Sequence, residues 1–161
     1  MSSTVLRASA VLVAALISIG LVPASAPAEG LSTAFVGTSS HEVLGDVACF
    51  AHQTFDATFE QVSVVPGTVH VDGCVSGLST ESAWLYSGTF TVTYHGQVNL
   101  RGVASGTIAD GFNPEGLDFD LQLTSGLIAY RMAGKWHATG EAYAENEPIE
   151  GTLTTGLSAL G

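Results

Sequence analysis

The stretch Trp84–Ile108, WLYSGTFTVTYHGQVNLRGVASGTI, decides the fold. From Trp84 to Tyr94 the even positions are Trp84, Tyr86, Gly88, Phe90, Val92 and Tyr94. The odd ones, Leu85 apart, are Ser87, Thr89, Thr91 and Thr93. From Val98 to Ile108 the even positions are again apolar or small: Val98, Leu100, Gly102, Ala104, Gly106 and Ile108. Period two is the pattern of a half-buried strand, so the stretch reads as a hairpin. Residues paired directly across a hairpin share a face, so even pairs with even. A two-residue loop at His95-Gly96 would pair Tyr94 with Gln97 and turn one apolar set outward. A three-residue loop, His95-Gly96-Gln97, instead pairs Tyr94 with Val98, Val92 with Leu100, Phe90 with Gly102, Tyr86 with Gly106 and Trp84 with Ile108. Large residues then face small ones. Rings over cross-strand glycines belong to sharply curved sheets, and the hairpin is expected at the centre of a closed antiparallel sheet.

Outward from the hairpin the same period recurs. Phe55, Ala57 and Phe59 alternate with Asp56, Thr58 and Glu60, and a parity change at Val62 and Val64 predicts a bulge or break before Pro66-Gly67. Thr68–Cys74 places Val69 and Val71 opposite His70 and Asp72. Gly77–Ser82 reads as polar linking sequence, and Ala109–Gly116, dense in turn formers, as a long loop. Leu117–Thr124 alternates strictly. Ser125–Gly134 loses the period and predicts a short helical turn or irregular crossover. Trp136, Ala138, Gly140, Ala142 and Ala144 predict a strand face, Asn146-Glu147-Pro148 a turn, and Ile149–Leu157 a closing strand. Near the start, a short strand is expected at Ala34–Val36 and a loop at Gly37–Ser40. No stretch after residue 28 reads as an amphipathic helix. Roughly eight strands with regular turn signals predict an all-β domain, a single antiparallel barrel, with a β-sandwich as the alternative.

Residues 1–28 carry one charge, Arg7, an apolar run over Ala8–Val22 and the small-residue site Ala26-Pro27-Ala28. That is the pattern of an export signal cleaved before Glu29. The single barrel domain is then residues 29–161, secreted to the extracellular medium. Export places Cys49 and Cys74, the only cysteines, in an oxidising compartment, where an even pair forms a disulfide. Fifteen acidic residues stand against four basic ones, a net charge of −11. Such a surface repels nucleic acid and anionic lipid, so neither is expected as a partner once the signal is removed.

Gly88–Thr93, Gly102–Ile108, Thr124-Ser125-Gly126, Ala129–Gly134 and Ala138-Thr139-Gly140 together resemble the allene oxide cyclase and dirigent barrel superfamily, over about Trp84–Leu157. The resemblance implies an eight-stranded barrel. For function it implies a cyclase- or isomerase-like enzyme that folds an apolar small molecule inside the barrel. It carries no catalytic residue onto this sequence.

The residues themselves point elsewhere. G-x-S-x-G and S-x-x-K are absent, and the Ser and Thr content suits an exposed sheet face. His70 and Asp72 share a face but lack a third metal ligand, and His41, His52, His95 and His137 fall on expected loops and outward positions. The paired carboxylates Asp118 with Asp120 and Glu145 with Glu147 read as a solvated acidic edge. No catalytic residue, metal or cofactor is therefore expected. The remaining candidates are the interior rings Trp84, Tyr86, Phe90, Tyr94 and Trp136, which either fill the barrel or line a cavity for an apolar small molecule. The sequence thus predicts a non-catalytic ligand- or partner-binding barrel, with the enzyme as alternative.

Intact mass measurement of the exported protein is expected to match a chain starting at Glu29 and lighter by about two hydrogens than the reduced form. A chain still starting at Met1, or one with two free thiols, would overturn the reading of the leader or of the cysteines.

Overall fold

The computed structural model describes residues 31–60, 66–79, 82–110, 115–126 and 128–157. The expected leader, its cleavage site and the parity change at Val62 and Val64 lie outside these residues. Eight antiparallel strands follow in chain order: β1 Ser32–Val43, β2 Ala51–Glu60, β3 Pro66–Ser79, β4 Ala83–Tyr94, β5 Gln97–Ala109, β6 Leu117–Ser125, β7 Ile128–Trp136 and β8 Tyr143–Leu157. Each pairs with its sequence neighbour, and β1 pairs with β8, so the sheet closes into an up-and-down barrel. The sandwich alternative is excluded, and there is no helix among the described residues. Cys49 and Cys74 form the disulfide, with Cα atoms 5.1 Å apart and 25 residues between them in sequence. Closing a loop of that length contributes on the order of 3 kcal/mol through chain entropy.

The central hairpin has the expected face pairing with a different turn. Val92 pairs with Leu100, Phe90 with Gly102, Tyr86 with Gly106 and Trp84 with Ile108. The loop, however, is the two-residue His95-Gly96, with Tyr94 opposite Gln97 and Thr93 opposite Val98. His95 (φ 52°) and Gly96 (φ 72°) both take left-handed backbone, as the commonest twist-matched hairpin turns require. A register shift between Val92 and Thr93 then restores even-with-even pairing, and Asn99 Oδ1 accepts the Tyr94 N–H there at 2.8 Å. A bulge thus does what the three-residue loop was expected to do.

Five other expectations are corrected. Gly37–Ser40 is strand, not loop, in the middle of β1. Ser125–Gly134 is no helical turn, because β7 runs through it with Met132 and Trp136 buried. The period was hidden because outward positions hold Ala129 and Ala133 while inward Gly134 carries no side chain. The strand expected at Trp136–Ala144 is instead the connection 137–142, and β8 runs straight through Asn146-Glu147-Pro148. Asn146 has φ 56°, and the β1–β8 register shifts between Ser39 and His41. The supposed turn is therefore a bulge inside a strand, a position that tolerates proline. β3 also continues past Gly77 to Ser79, after a shift beyond Val75.

Inward glycines let the strands approach as closure demands. Gly73 pairs with Gly88, and Gly134 with Gly151. A Cβ on Gly88 would fall on the Asp72 carbonyl oxygen and the Gly73 Cα, and one on Gly102 would meet both the Thr124 carbonyl and the Phe90 ring. The interior is otherwise packed with Phe35, Phe55, Phe90, Leu121, Leu123 and Met132. Outward positions carry Thr58, Asp56, Asp72 and Thr89 instead. An apolar inside and polar outside is the reverse of a membrane-spanning barrel, whose outer band is apolar.

Gly88→Ala is expected to lower unfolding free energy by about 1–3 kcal/mol or more, because backbone must move to admit the methyl group. Ser87→Ala on the outer face should stay within about 0.5 kcal/mol. Urea unfolding of the two variants checks this, and equal midpoints would contradict it.

Candidate functional site

The two ends of the barrel differ. At one end β4 and β5 meet in the two-residue turn, and Phe59 packs edge-on against Tyr94, centroids 5.8 Å apart. At the other end the strands are joined by the connections 44–50, 80–82, 110–116 and 137–142, and the interior opens into a cavity of about 250 Å³. Its walls include Trp84, Trp136, Phe50, Val75, Ile108 and Leu117, with His41 and Gln53 among them. Its floor follows from register. Tyr86, Phe55 and Phe119 each stand two residues deeper than a wall residue, and their rings touch: Phe55 lies 5.7 Å from Tyr86 and 4.9 Å from Phe119. Phe35 extends the plug, 6.2 Å from Phe119.

The five interior rings therefore separate by depth. Trp84 and Trp136 line the cavity; Tyr86 and Phe90 are buried in the packed core; Tyr94 helps close the far end. Trp84 is fixed by its Nε1–H donating to Asp110 Oδ1 at 2.8 Å and by stacking on Phe50 at 5.2 Å. Phe50 is in turn held by the segment that the disulfide anchors. Its N–H donates to the Val75 carbonyl at 2.7 Å, while its carbonyl accepts from Leu44 and Gly45. The same segment leaves Leu44 and Val47 exposed beside the opening.

The sequence reading missed the polar residues here. His41, expected on the surface, is 8% exposed, and Glu147, expected on a solvated edge, 3%. The Asn146 bulge changes the parity of β8, so Glu145 faces out to accept the Tyr143 hydroxyl at 2.6 Å while Glu147 turns in. Glu147 Oε2 lies 3.1 Å from His41 Nδ1 and accepts from Trp136 Nε1 at 3.0 Å; its Oε1 accepts the Thr139 N–H. His41 Nε2 donates to the Glu141 carbonyl at 2.6 Å. The pair thereby ties 137–142 across β1 and β8. Nε2 is committed as a donor to Glu141, and Nδ1 faces Glu147, so both ring nitrogens are used within the protein.

A second buried group lies beside it. Ser39 Oγ donates to the Thr54 carbonyl at 2.6 Å, and Gln53 Nε2 donates to Ser39 Oγ. The Tyr86 hydroxyl donates to the Gln53 backbone carbonyl at 3.1 Å; burial, with Asp72 adding to it, pushes this phenol well above its ordinary range, so it stays a donor. Gln53 Oε1 is buried with no partner.

Elsewhere the ionisable groups pair on the surface. His70 turns to Asp56 at 2.6 Å and Asp72 to His52 at 3.2 Å, which separates the two residues considered for metal. Among the described residues no three His, Cys, Asp or Glu side chains could hold a metal ion. Asp118 meets Lys135 at 3.0 Å and Asp120 meets Arg131, whose hydrogen bond holds the Asp120 carboxyl below its usual range. Exposed pairs of this kind are worth at most about 1 kcal/mol each.

Glu147→Ala is expected to cost about 3 kcal/mol or more, since it leaves His41, Trp136 Nε1 and the Thr139 N–H unpaired in a buried site. Asp118→Ala should cost under about 1 kcal/mol. Equal losses in urea unfolding would show that Glu147 does not organise the opening.

No protein-family model, no curated protein and no solved structure matches this chain.

Proposed function

We propose that the protein is an exported, non-catalytic binding domain that holds a small apolar molecule in the open end of its barrel. The cavity carries this reading: about 250 Å³, walled by Trp84, Trp136, Phe50 and aliphatic side chains, and floored by a ring plug. It is smaller than a typical drug-sized pocket of about 300–1,000 Å³ and larger than the roughly 150 Å³ cavity that accepts benzene. Its ligand is therefore one or two rings in size. Working outside the cytoplasm accords with the Cys49–Cys74 disulfide, which anchors one wall.

The hydrogen bonding of His41 and Glu147 favours binding over reaction, because both ring nitrogens and both carboxylate oxygens already have partners within the protein. One observation favours the enzyme: His41 does line the cavity. A cyclase- or isomerase-like activity on an apolar substrate, as the superfamily resemblance implies, would use it as acid or base. Turnover of such a substrate, lost in His41→Asn while binding survives, is the result that would replace the first reading with this one.

Titration with benzene and toluene, followed by tryptophan fluorescence, is expected to show a saturable change from Trp84 and Trp136. Ala51→Phe, on the cavity wall at the start of β2 and on the inward parity of Gln53 and Phe55, should abolish it by filling the space while circular dichroism stays that of the wild type. No saturable response in the wild type, or an unchanged one in a folded Ala51→Phe, overturns the proposal.

A further inference from the structure

We infer that the ligand carries a hydrogen-bond donor, a hydroxyl or N–H, on an otherwise apolar one- or two-ring body, and that Gln53 Oε1 is the group that receives it. The inference rests on the binding reading above and gives the ligand its polar end.

The orientation of the Gln53 amide follows from its neighbours. The Ser39 hydroxyl hydrogen is committed to the Thr54 carbonyl, so toward Gln53 that oxygen can only accept. The amide must then present Nε2 to Ser39, and Oε1 is the atom left over. The Tyr86 hydroxyl, the nearest donor of the core, is committed to the Gln53 backbone carbonyl instead. Glu147 collects the available donors on the other side, from Trp136 and Thr139, and His41 Nε2 goes to Glu141. Each of these donor atoms thus has an acceptor, and among the described residues Gln53 Oε1 is the buried side-chain atom with no partner. A buried acceptor without a partner is costly and uncommon in a well-packed interior. Here it belongs to a side chain that forms part of the wall of an apolar cavity, the arrangement of binding sites in which few polar groups fix orientation.

Gln53 Oε1 has no accessible surface. Meeting a ligand therefore takes a side-chain adjustment of the kind that commonly accompanies binding, pivoting on the Nε2 bond to Ser39. Ligands lacking a donor leave the oxygen unpaired and forgo that gain. A site built on a hydrogen bond discriminates against such analogues more sharply than a purely apolar pocket discriminates by size.

The test compares p-cresol with p-xylene, which differ by a hydroxyl in place of a methyl, by calorimetric titration. Wild-type protein is expected to bind p-cresol about tenfold or more tightly than p-xylene. Gln53→Met, of similar length and without the amide, is expected to erase that preference. The wild-type comparison stands alone should Gln53→Met not fold. Equal affinities in the wild type, or tighter binding of p-xylene, overturn the role of Gln53 and leave the apolar site in place. An unchanged preference in a folded Gln53→Met overturns it as well. If neither compound binds the wild type, the binding reading itself falls, and this inference with it.

Discussion

Closing eight long strands into a narrow barrel brings backbones so near each other on the inner surface that several inward positions have no room for a Cβ. Gly73 against Gly88 and Gly134 against Gly151 are the two places where both partners lack one. At Gly37, Gly102 and Gly106 a Cβ would fall on a neighbouring carbonyl oxygen. Space given up by glycine is taken by rings from the opposite partner, as where Phe90 lies against Gly102. The interior volume is fixed by this exchange. Rings concentrated at mid-depth, Phe35, Phe119, Phe55 and Tyr86 in contact, seal the barrel and confine any cavity to an end.

The described connections at the two ends differ. The His95-Gly96 turn spans two strands with no residues to spare, and Phe59 and Tyr94 meet beneath that end. At the other end two connections, 44–50 and 137–142, are held by something other than strand pairing. Residues 44–50 are held by the disulfide and by the Phe50 and Val47 backbone bonds to β3 and beyond. Residues 137–142 are held by His41 and Glu147. These anchors hold the segments at the rim, and Trp84 and Trp136 remain as walls.

The barrel was legible in the sequence wherever large apolar residues alternate with polar ones without interruption, as in β4, β5 and β6. It was illegible where the constraint of closure replaced side chains with glycine and serine. Gly37–Ser40 looks like a loop because Gly37 has no room for a side chain and Ser39 is chosen for its hydroxyl. Gly134 and two outward alanines flatten β7 in the same way. Trp84 and Trp136 were identifiable as interior rings, but their depth depends on strand register at the far side of the barrel. His41 and Glu147 could not be identified at all. They are 106 residues apart, and the inward turn of Glu147 depends on one bulge at Asn146 that the local sequence presents as an ordinary turn.

The polar groups at the open end form two systems with different accounts. Around Glu147 the His41 ring, the Trp136 indole N–H and the Thr139 N–H converge on one carboxylate, and the result is a fixed rim. Around Gln53 the chain Thr54 carbonyl, Ser39 hydroxyl, Gln53 amide runs in one direction and ends on an oxygen with nothing to accept from. Had Ser39 been alanine, the amide would be free to rotate and either end could be the one left over. The serine removes that freedom, because its hydrogen is already given away. A residue that contributes no apolar surface to the core is therefore what decides which end of the buried Gln53 amide is left without a partner.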